Sequence, residues 1–334
     1  MSYIFGHKYR FYIGSPSRLV EYHNSPTDYD IPPNPNNKTP KQVSLLTGGV
    51  IDYRTIPEQA VVIENPFQMQ AQVSYKIATS SANTPNLGKF TFYNLPTNTL
   101  AEIAVNKVVI LQAGYDSQKT LPLIFSGTVE SFKTERKGAD MVTEIIAKEG
   151  GNVVNTVRVQ VAYPRGTTYD LIFLDLMQKF ADNGIPTGSF VDTDRARQVL
   201  ESPLRYNDKL STILTTVCDN FDYVWFIVKG RLFIQPKDLD RPTEFVILDP
   251  SQVIGNISSA NDANGKGVAD KNVPNKGVKY ETYLNGEVSL NTYTRLPEGD
   301  FKGDYKTSEI TYTLNWKNGP WKNTIKAGEV KEFG

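Results

Sequence analysis

The side chains that could do chemistry are few and scattered. The chain has two histidines, His7 and His23. Zinc needs three or four Cys, His or carboxylate ligands closing on one point. No Cys, Asp or Glu lies at ligand spacing from either histidine, so surface imidazoles are the simpler reading. A Ser-His-Asp hydrolase needs a His base held still by a carboxylate. Asp28 and Asp30 follow His23, but they sit in a Pro-rich stretch that is a poor scaffold for preorganised catalysis. A glycosidase needs only two facing carboxyl groups, and the inventory permits that. Yet Glu130, Glu135, Asp140 and Glu144 fall where a wet strand face or a turn would put them. The run Asp262-Ala263-Asn264-Gly265-Lys266-Gly267 is a failed calcium loop: Lys266 stands where an oxygen ligand is wanted, and Val273 where the closing Glu belongs. Gly48-Gly49 and Gly150-Gly151 are isolated pairs, turn residues rather than a phosphate cradle. Cys218 is the lone cysteine, so no intrachain disulfide can form, and it reads as a small hydrophobe on the apolar side of a helix. The expected inventory is empty: no catalytic residue, no cofactor-binding residue, no metal ligand and no cofactor.

The elements that carry these residues are mostly strands. Phe67, Met69, Ala71, Val73, Tyr75 and Ile77 alternate with Gln68, Gln70, Gln72, Ser74 and Lys76. A period of two predicts one buried and one wet face. The same character returns in Tyr9 to Ile13, Val43 to Leu46, Ala60 to Ile63, Lys89 to Leu95, Lys107 to Tyr115, Leu123 to Phe132 and Met141 to Lys148. Arg136-Lys137-Gly138-Ala139-Asp140 is a hairpin turn, with Gly where positive φ is cheap. Val153 to Val161 reads as a further alternating strand, and Thr99 to Val105 as one short helix. Pro26, Pro32, Pro33, Pro35 and Pro40 make Ser25 to Lys41 an extended loop, either an arm lying on a neighbour or a plain surface loop.

After Pro164 the pattern changes. Thr167 and Thr168 offer an N-cap, and Tyr169, Ile172, Phe173, Leu176, Met177 and Phe180 follow at helical spacing, stopped by Asp182-Asn183-Gly184. A second helix is expected from Asn207 or Asp208, with Leu210, Ile213, Leu214, Val217 and Phe221 as its buried stripe. Tyr223 to Val228, Lys229-Gly230 and Arg231 to Gln235 form a tight hairpin. Beyond it, strands are expected at Glu244 to Leu248, Val253 to Ser258, Gly277 to Tyr283, Gly286 to Tyr293, Tyr305 to Asn315 and Trp321 to Ala327, with Ala260 to Lys276 as a loop. The strand pattern predicts a mainly β fold with an α+β insert, its first part an antiparallel β-barrel or sandwich interrupted by a single helix. The expected divisions are 1–162 for the first β part with its Pro-rich arm, 163–240 for the small α+β module, and 241–334 for a second β part, completed by strands from elsewhere in the chain.

Composition narrows the function classes. At 334 residues the chain is long enough for two or three domains with real cores. Lys plus Arg is 36 and Asp plus Glu is 36, so no global field draws a polyanion, and the absence of self-repulsion suits a subunit in an assembly. Met1 to Arg10 has no apolar core and no run approaches a membrane span, which predicts synthesis in a cytoplasm without a classical export signal or membrane anchor. Trp316 and Trp321 flank a turn, as a docking pair or as packing at a barrel end.

A family resemblance lies in the order of the strands. Asn86-Leu87-Gly88-Lys89-Phe90-Thr91-Phe92-Tyr93-Asn94-Leu95 is followed by a helix, then Val109-Ile110-Leu111-Gln112-Ala113-Gly114-Tyr115, then Leu123-Ile124-Phe125-Ser126-Gly127-Thr128-Val129. Later come Asn207-Asp208-Lys209-Leu210, Phe221-Asp222-Tyr223-Val224-Trp225, Leu232-Phe233-Ile234-Gln235-Pro236, Gly277-Val278-Lys279-Tyr280 to Gly286, and Tyr305 to Trp321. This resembles the baseplate hub proteins of contractile phage tails, the late-control-protein-D-like group, from about Phe67 onward; the Pro-rich arm does not map onto it. The resemblance implies a non-enzymatic homotrimer in which each subunit supplies two tube-like antiparallel β-barrel domains plus the small α+β module, so that three chains form a pseudo-sixfold ring. Such a hub joins a sixfold tail tube, or tube initiator, to a threefold central spike. Tape measure and baseplate wedge proteins are further candidate neighbours, and DNA passes only as cargo. The implied place is the tail baseplate of a virion or related injection system, assembled in the host cytoplasm. The rival reading is a tail-associated peptidoglycan-degrading or glycan-binding protein. A plain tube or sheath-initiator protein is the weaker third, since a tube subunit needs one barrel.

Overall fold

The computed structural model describes residues 6–14, 20–21, 51–52, 60–76, 86–237, 245–260, 277–290, 292–296, 299, 301–317 and 319–330. His23, the arm at 25–41, Val43 to Leu46, Gly48-Gly49, Asp262 to Gly267 and Val273 lie outside them.

The N-terminal β region comprises β1 (His7–Gly14), β2 (Val20–Glu21), β3 (Ile51–Asp52), β4 (Ala60–Glu64), β5 (Met69–Lys76), β6 (Leu87–Tyr93), α1 (Thr97–Ala101), β7 (Val108–Tyr115), β8 (Leu123–Lys137) and β9 (Asp140–Lys148). The helical module follows with α2 (Gly151–Thr156), β10 (Arg158–Tyr163), α3 (Tyr169–Asp182), β11 (Thr187–Phe190), β12 (Leu204–Lys209), α4 (Leu210–Asn220), β13 (Tyr223–Val228) and β14 (Arg231–Pro236). The C-terminal β region holds β15 (Phe245–Ile247), β16 (Val253–Ala260), β17 (Gly277–Tyr283), β18 (Tyr293–Leu296), β19 (Gly303–Asn315) and β20 (Trp321–Glu329). The protein is mainly β with a small helical part, as the alternation predicts. Among the described residues no helix is long and apolar enough to cross a membrane.

One sheet of 13 strands runs through both β regions, in the order β16-β17-β20-β19-β5-β6-β9-β8-β7-β1-β4, with β18 and β15 branching from β19. The seam is the antiparallel pairing of β19 with β5, where Ile310 faces Tyr75, Tyr312 faces Val73 and Leu314 faces Ala71. All six are buried. A slip of one residue would turn each of them toward water, so burial fixes the register. The sheet curls. Phe11 on β1 packs on Phe90 and Phe92 of β6 at 4.9 Å between ring centroids, although β7, β8 and β9 separate those strands in the sheet. Tyr280 on β17 likewise reaches Thr294 on β18 at 2.8 Å, across β20 and β19. A single hydrophobic core serves both β regions.

The module has its own core, in which α3 and α4 cover the three-stranded sheet β11-β14-β13. Thr168 is the N-cap residue of α3, but its hydroxyl makes no cap bond. Phe226 and Val228 of β13 leave this core and enter the one shared by the two β regions, which curl together as a barrel-like body.

Three expectations are corrected. Val153 to Val161 is not one strand: Gly150, at φ 62°, turns the chain into α2, and extended structure resumes only at Arg158. The β-branched valines gave a strand pattern, but Val154 is buried from a helix. The second helix does not start at Asn207 or Asp208. Those residues stay in β12, paired with Gln160 and Val159 of β10, and α4 begins at Leu210. Finally, Gly286 to Leu290 is not a strand. The Asn285 carboxamide accepts from Glu287 N–H and the Thr292 hydroxyl from Ser289 N–H, so side chains take the bonds a ladder would use. Val288 and Leu290 are buried and plug the core. The short helix expected over Thr99 to Val105 exists but ends at Ala101.

Candidate functional site

The residues singled out for chemistry do not converge. His7 opens β1, and its ring stacks on Trp321 at 4.6 Å and 7°. It is half-buried rather than a bare surface imidazole, and burial lowers its pKa. Its carbonyl accepts the Trp316 indole N–H at 2.9 Å, and Trp321 donates to Gly114 O at 3.1 Å. The two tryptophans therefore pack and pin the end of the sheet. Cys218 is buried in α4, and burial pushes its thiol well above the usual range, which makes it unreactive.

The four surface carboxylates behave as a strand face dictates. Glu130 pairs with Lys148, Glu135 with Lys133 and Lys137, and Glu144 with Lys137 at 3.1 Å. Asp140 accepts from Asn94 Nδ2 at 2.8 Å beside the hairpin turn, where Gly138 takes φ 65°. Among the described residues, no three His, Cys, Asp or Glu gather where a metal could sit.

Sequence reasoning missed Glu149. It sits at the end of β9, and no part of it is exposed. Three separate stretches of chain converge on its carboxyl group. From β5, the Tyr75 phenol oxygen lies 3.1 Å from Oε1 while its hydroxyl donates to Ile124 O at 2.6 Å. Just before β6, Asn86 Nδ2 donates to Oε2 at 3.3 Å and to Ile227 O of the module at 2.7 Å. From the β13–β14 turn, Gly230 N–H donates to Oε1 at 3.1 Å. The same turn is tied to the C-terminal region, because Lys229 Nζ donates to Gly286 O at 2.6 Å. Burial pushes the Glu149 carboxyl up to about 8, against the opposing pull of hydrogen bonds from the Asn86 side chain and the Gly230 and Lys229 backbone. Burial also raises the Tyr75 phenol, helped by Glu149 and by Tyr312 behind it. Gly150 lets the chain leave this point. It has a left-handed φ, and a Cβ there would come within 2.5 Å of the Ile227 side chain. The only cue in the sequence was a carboxylate closing an apolar alternating strand directly before Gly-Gly.

This arrangement joins parts of the molecule. It is not a catalytic cleft, because the carboxyl is sealed from any substrate.

No family profile and no curated protein sequence matches the chain. Solved structures do. A 43 kDa tail protein of prophage MuSo2 from Shewanella oneidensis superposes with a TM-score of 0.55 at 7% identity, over 82% of this chain and 97% of that one. The Escherichia coli c3393 protein is a type VI secretion component described as similar to the T4 tail proteins gp27 and gp5. It aligns with a TM-score of 0.55 at 10% identity, over 80% of this chain and 75% of its own. A chain of the Francisella PdpA–VgrG complex aligns over 99% of this chain and 54% of its own, with a TM-score of 0.52 at 9% identity. At these identities the likeness is one of fold: the chain has the fold of phage tail proteins and of type VI secretion proteins related to them.

Proposed function

We propose that this protein is the structural hub of a contractile phage tail or related injection system. Three copies form a ring that adapts a sixfold tube to a threefold spike, and no reaction is catalysed. The observation that carries this reading is the β5–β19 seam, which fuses two curled β regions of one polypeptide into a single sheet with a common core. A chain that presents two such units can offer six from three copies. In this reading 1–162 and 241–334 are the two tube-like units and 163–240 is the module between them. The phage-tail fold supports it, and so does the placement of the carboxylates, which are ion-paired on strand faces or, at Glu149, sealed inside.

The spike, the tube and neighbouring hubs would be met through strand edges. β8 is 15 residues long, but β7 pairs with it only as far as Thr128. From Ser131 to Lys137 it pairs with β9 alone among the described strands, and this reading gives its other edge to a neighbour.

Light scattering on the purified full chain tests the proposal, with negative-stain imaging of the same sample. The expected species has three times the 37.4 kDa chain mass and appears as a threefold ring. A single-chain mass at every concentration, with no ring, overturns it.

A further inference from the structure

Tyr75 has one hydroxyl proton and two short oxygen contacts. The tighter one, 2.6 Å to Ile124 O, takes that proton. The 3.1 Å contact between the phenol oxygen and Glu149 Oε1 then needs a proton from the carboxyl side. Around the rest of the carboxyl group, among the described residues, donors point inward: Asn86 Nδ2 and the backbone N–H groups of Gly230 and Lys229. A neutral carboxylic acid satisfies all of these contacts at once, and among the described residues no ion pair forms with it. Lys229 is the nearest basic residue by sequence to the turn, and its ammonium is directed to Gly286 O. The other titratable groups facing the site are Tyr75 and, behind it, Tyr312 on β19.

We propose that Glu149 is a proton-operated latch: as the neutral acid it donates to Tyr75 Oη and fastens the β13–β14 turn of the helical module to the barrel, and loss of its proton to solvent loosens that turn. This device does not depend on the hub reading, since it concerns one chain alone. Its reach comes from what the turn holds. Asn86 bridges Glu149 to Ile227, and Lys229 bridges the turn to Gly286, so one carboxyl group lies at the meeting of the N-terminal sheet, the module and the C-terminal region.

The sign follows from linkage. The acid is held protonated up to about pH 8 when closed, and ionises near its ordinary value when the turn opens to water. Opening is therefore favoured roughly tenfold for each pH unit between about 5 and 8, and levels off above.

Hydrogen exchange of the full chain, followed by mass spectrometry and corrected for intrinsic rates, reads this directly. Protection in peptides covering Val228 to Arg231 should fall about tenfold per unit from pH 5.5 to 7.5. Peptides from the middle of α3 should not change. In Glu149→Gln the slope should vanish. A flat wild-type profile, or a slope that survives in the variant, overturns the latch. Should the variant not fold, infrared spectra of the wild-type chain with carbon-13-labelled glutamate decide the matter. A carboxylic acid C=O band present at pH 7 and lost above pH 8 supports the proposal, and absence of that band at pH 7 refutes it.

Discussion

In the barrel, tyrosine hydroxyls reach across the core to backbone carbonyls: Tyr9 to Phe67 O and Tyr75 to Ile124 O, both at 2.6 Å, and Tyr312 to Val288 O. In the module, rings meet rings. Phe173 packs on Tyr223 and Phe190 at 5.0 and 5.4 Å, and Phe180 on Trp225 at 5.7 Å. These three tyrosines each combine a large apolar area with a directional bond, so they set register as well as bury surface. The module's cluster buries surface around two helices, with Tyr223 donating to Val191 O at 3.2 Å and Trp225 Nε1 to the Thr215 hydroxyl at 3.0 Å. The two regions meet through Phe226 and Val228, and through the polar knot at Glu149. One sheet thus carries an attachment with its own core, joined to it by a few named contacts.

The largest expected effect separates the two cores. Phe90 touches both Phe11 and Phe125 inside the barrel, and Phe90→Ala should cost about 3–5 kcal/mol. Phe173→Ala should cost a similar ~3–5 kcal/mol locally. The difference lies in where the damage goes. Hydrogen exchange should show loss of protection across both β regions for Phe90→Ala, because they share a core, and loss confined to 151–237 for Phe173→Ala. Uniform loss in both variants would mean that the module and barrel unfold as one unit.

Two buried carboxyl groups give opposite pH dependences. Asp304 is 6% exposed and holds Arg295 in a two-pronged pair at 2.7 and 2.8 Å, which lowers its pKa. Its contribution is complete above the ordinary aspartate value and is lost as pH falls through the lowered one. Glu149, raised to about 8, contributes most below its ordinary value, and that share is lost as pH rises toward 8. Urea midpoints should fall below pH 4 through Asp304, and between pH 5 and 8 through Glu149. Asp304→Asn should remove about 1–2 kcal/mol at pH 7, since Arg295 is half exposed and partly screened, and should flatten only the acid limb.

Much of this contrast was legible before any coordinates. The period-two runs placed β5, β6, β9, β19 and β20, because a sheet with one wet face must alternate. The stripe Ile172, Phe173, Leu176, Met177 and Phe180 placed α3 for the same kind of reason, and all five are buried. What escaped depends on distant pairing. Asn207 and Asp208 look like a helix start until β10 claims them. The β5–β19 seam joins stretches more than two hundred residues apart, and alternation says which face is buried but not which strand lies beside it. Glu149 escaped for the same reason: its partners Tyr75, Asn86 and Gly230 are remote in sequence, and only the fold brings them together.

A smaller effect tests how the sheet end is pinned. Trp321 buries its ring against His7 and donates to Gly114 O. Trp321→Phe keeps an aromatic face for the imidazole but strands that carbonyl, at a cost of about 1–2 kcal/mol in urea unfolding. Loss of protection should centre on His7 to Phe11 and on Ala113 to Tyr115, which meet at this corner. A loss centred in the module would place the strain elsewhere.

The smallest effect belongs to Glu135, and it makes the comparison with Glu149 sharp. Glu135 lies between Lys133 and Lys137 on the open hairpin, and their hydrogen bonds lower its pKa. Yet both lysine side chains are more than half exposed, so water and salt screen the pairs, and holding them costs side-chain entropy. Glu135→Gln should leave the melting temperature of the isolated chain unchanged at physiological salt. A carboxylate drawn toward its charged form by two ammonium groups thus contributes less to the fold than one held neutral by burial. If Glu135→Gln lowered the melting temperature measurably, the hairpin would be a structural part of the sheet and not an edge free to meet a neighbour.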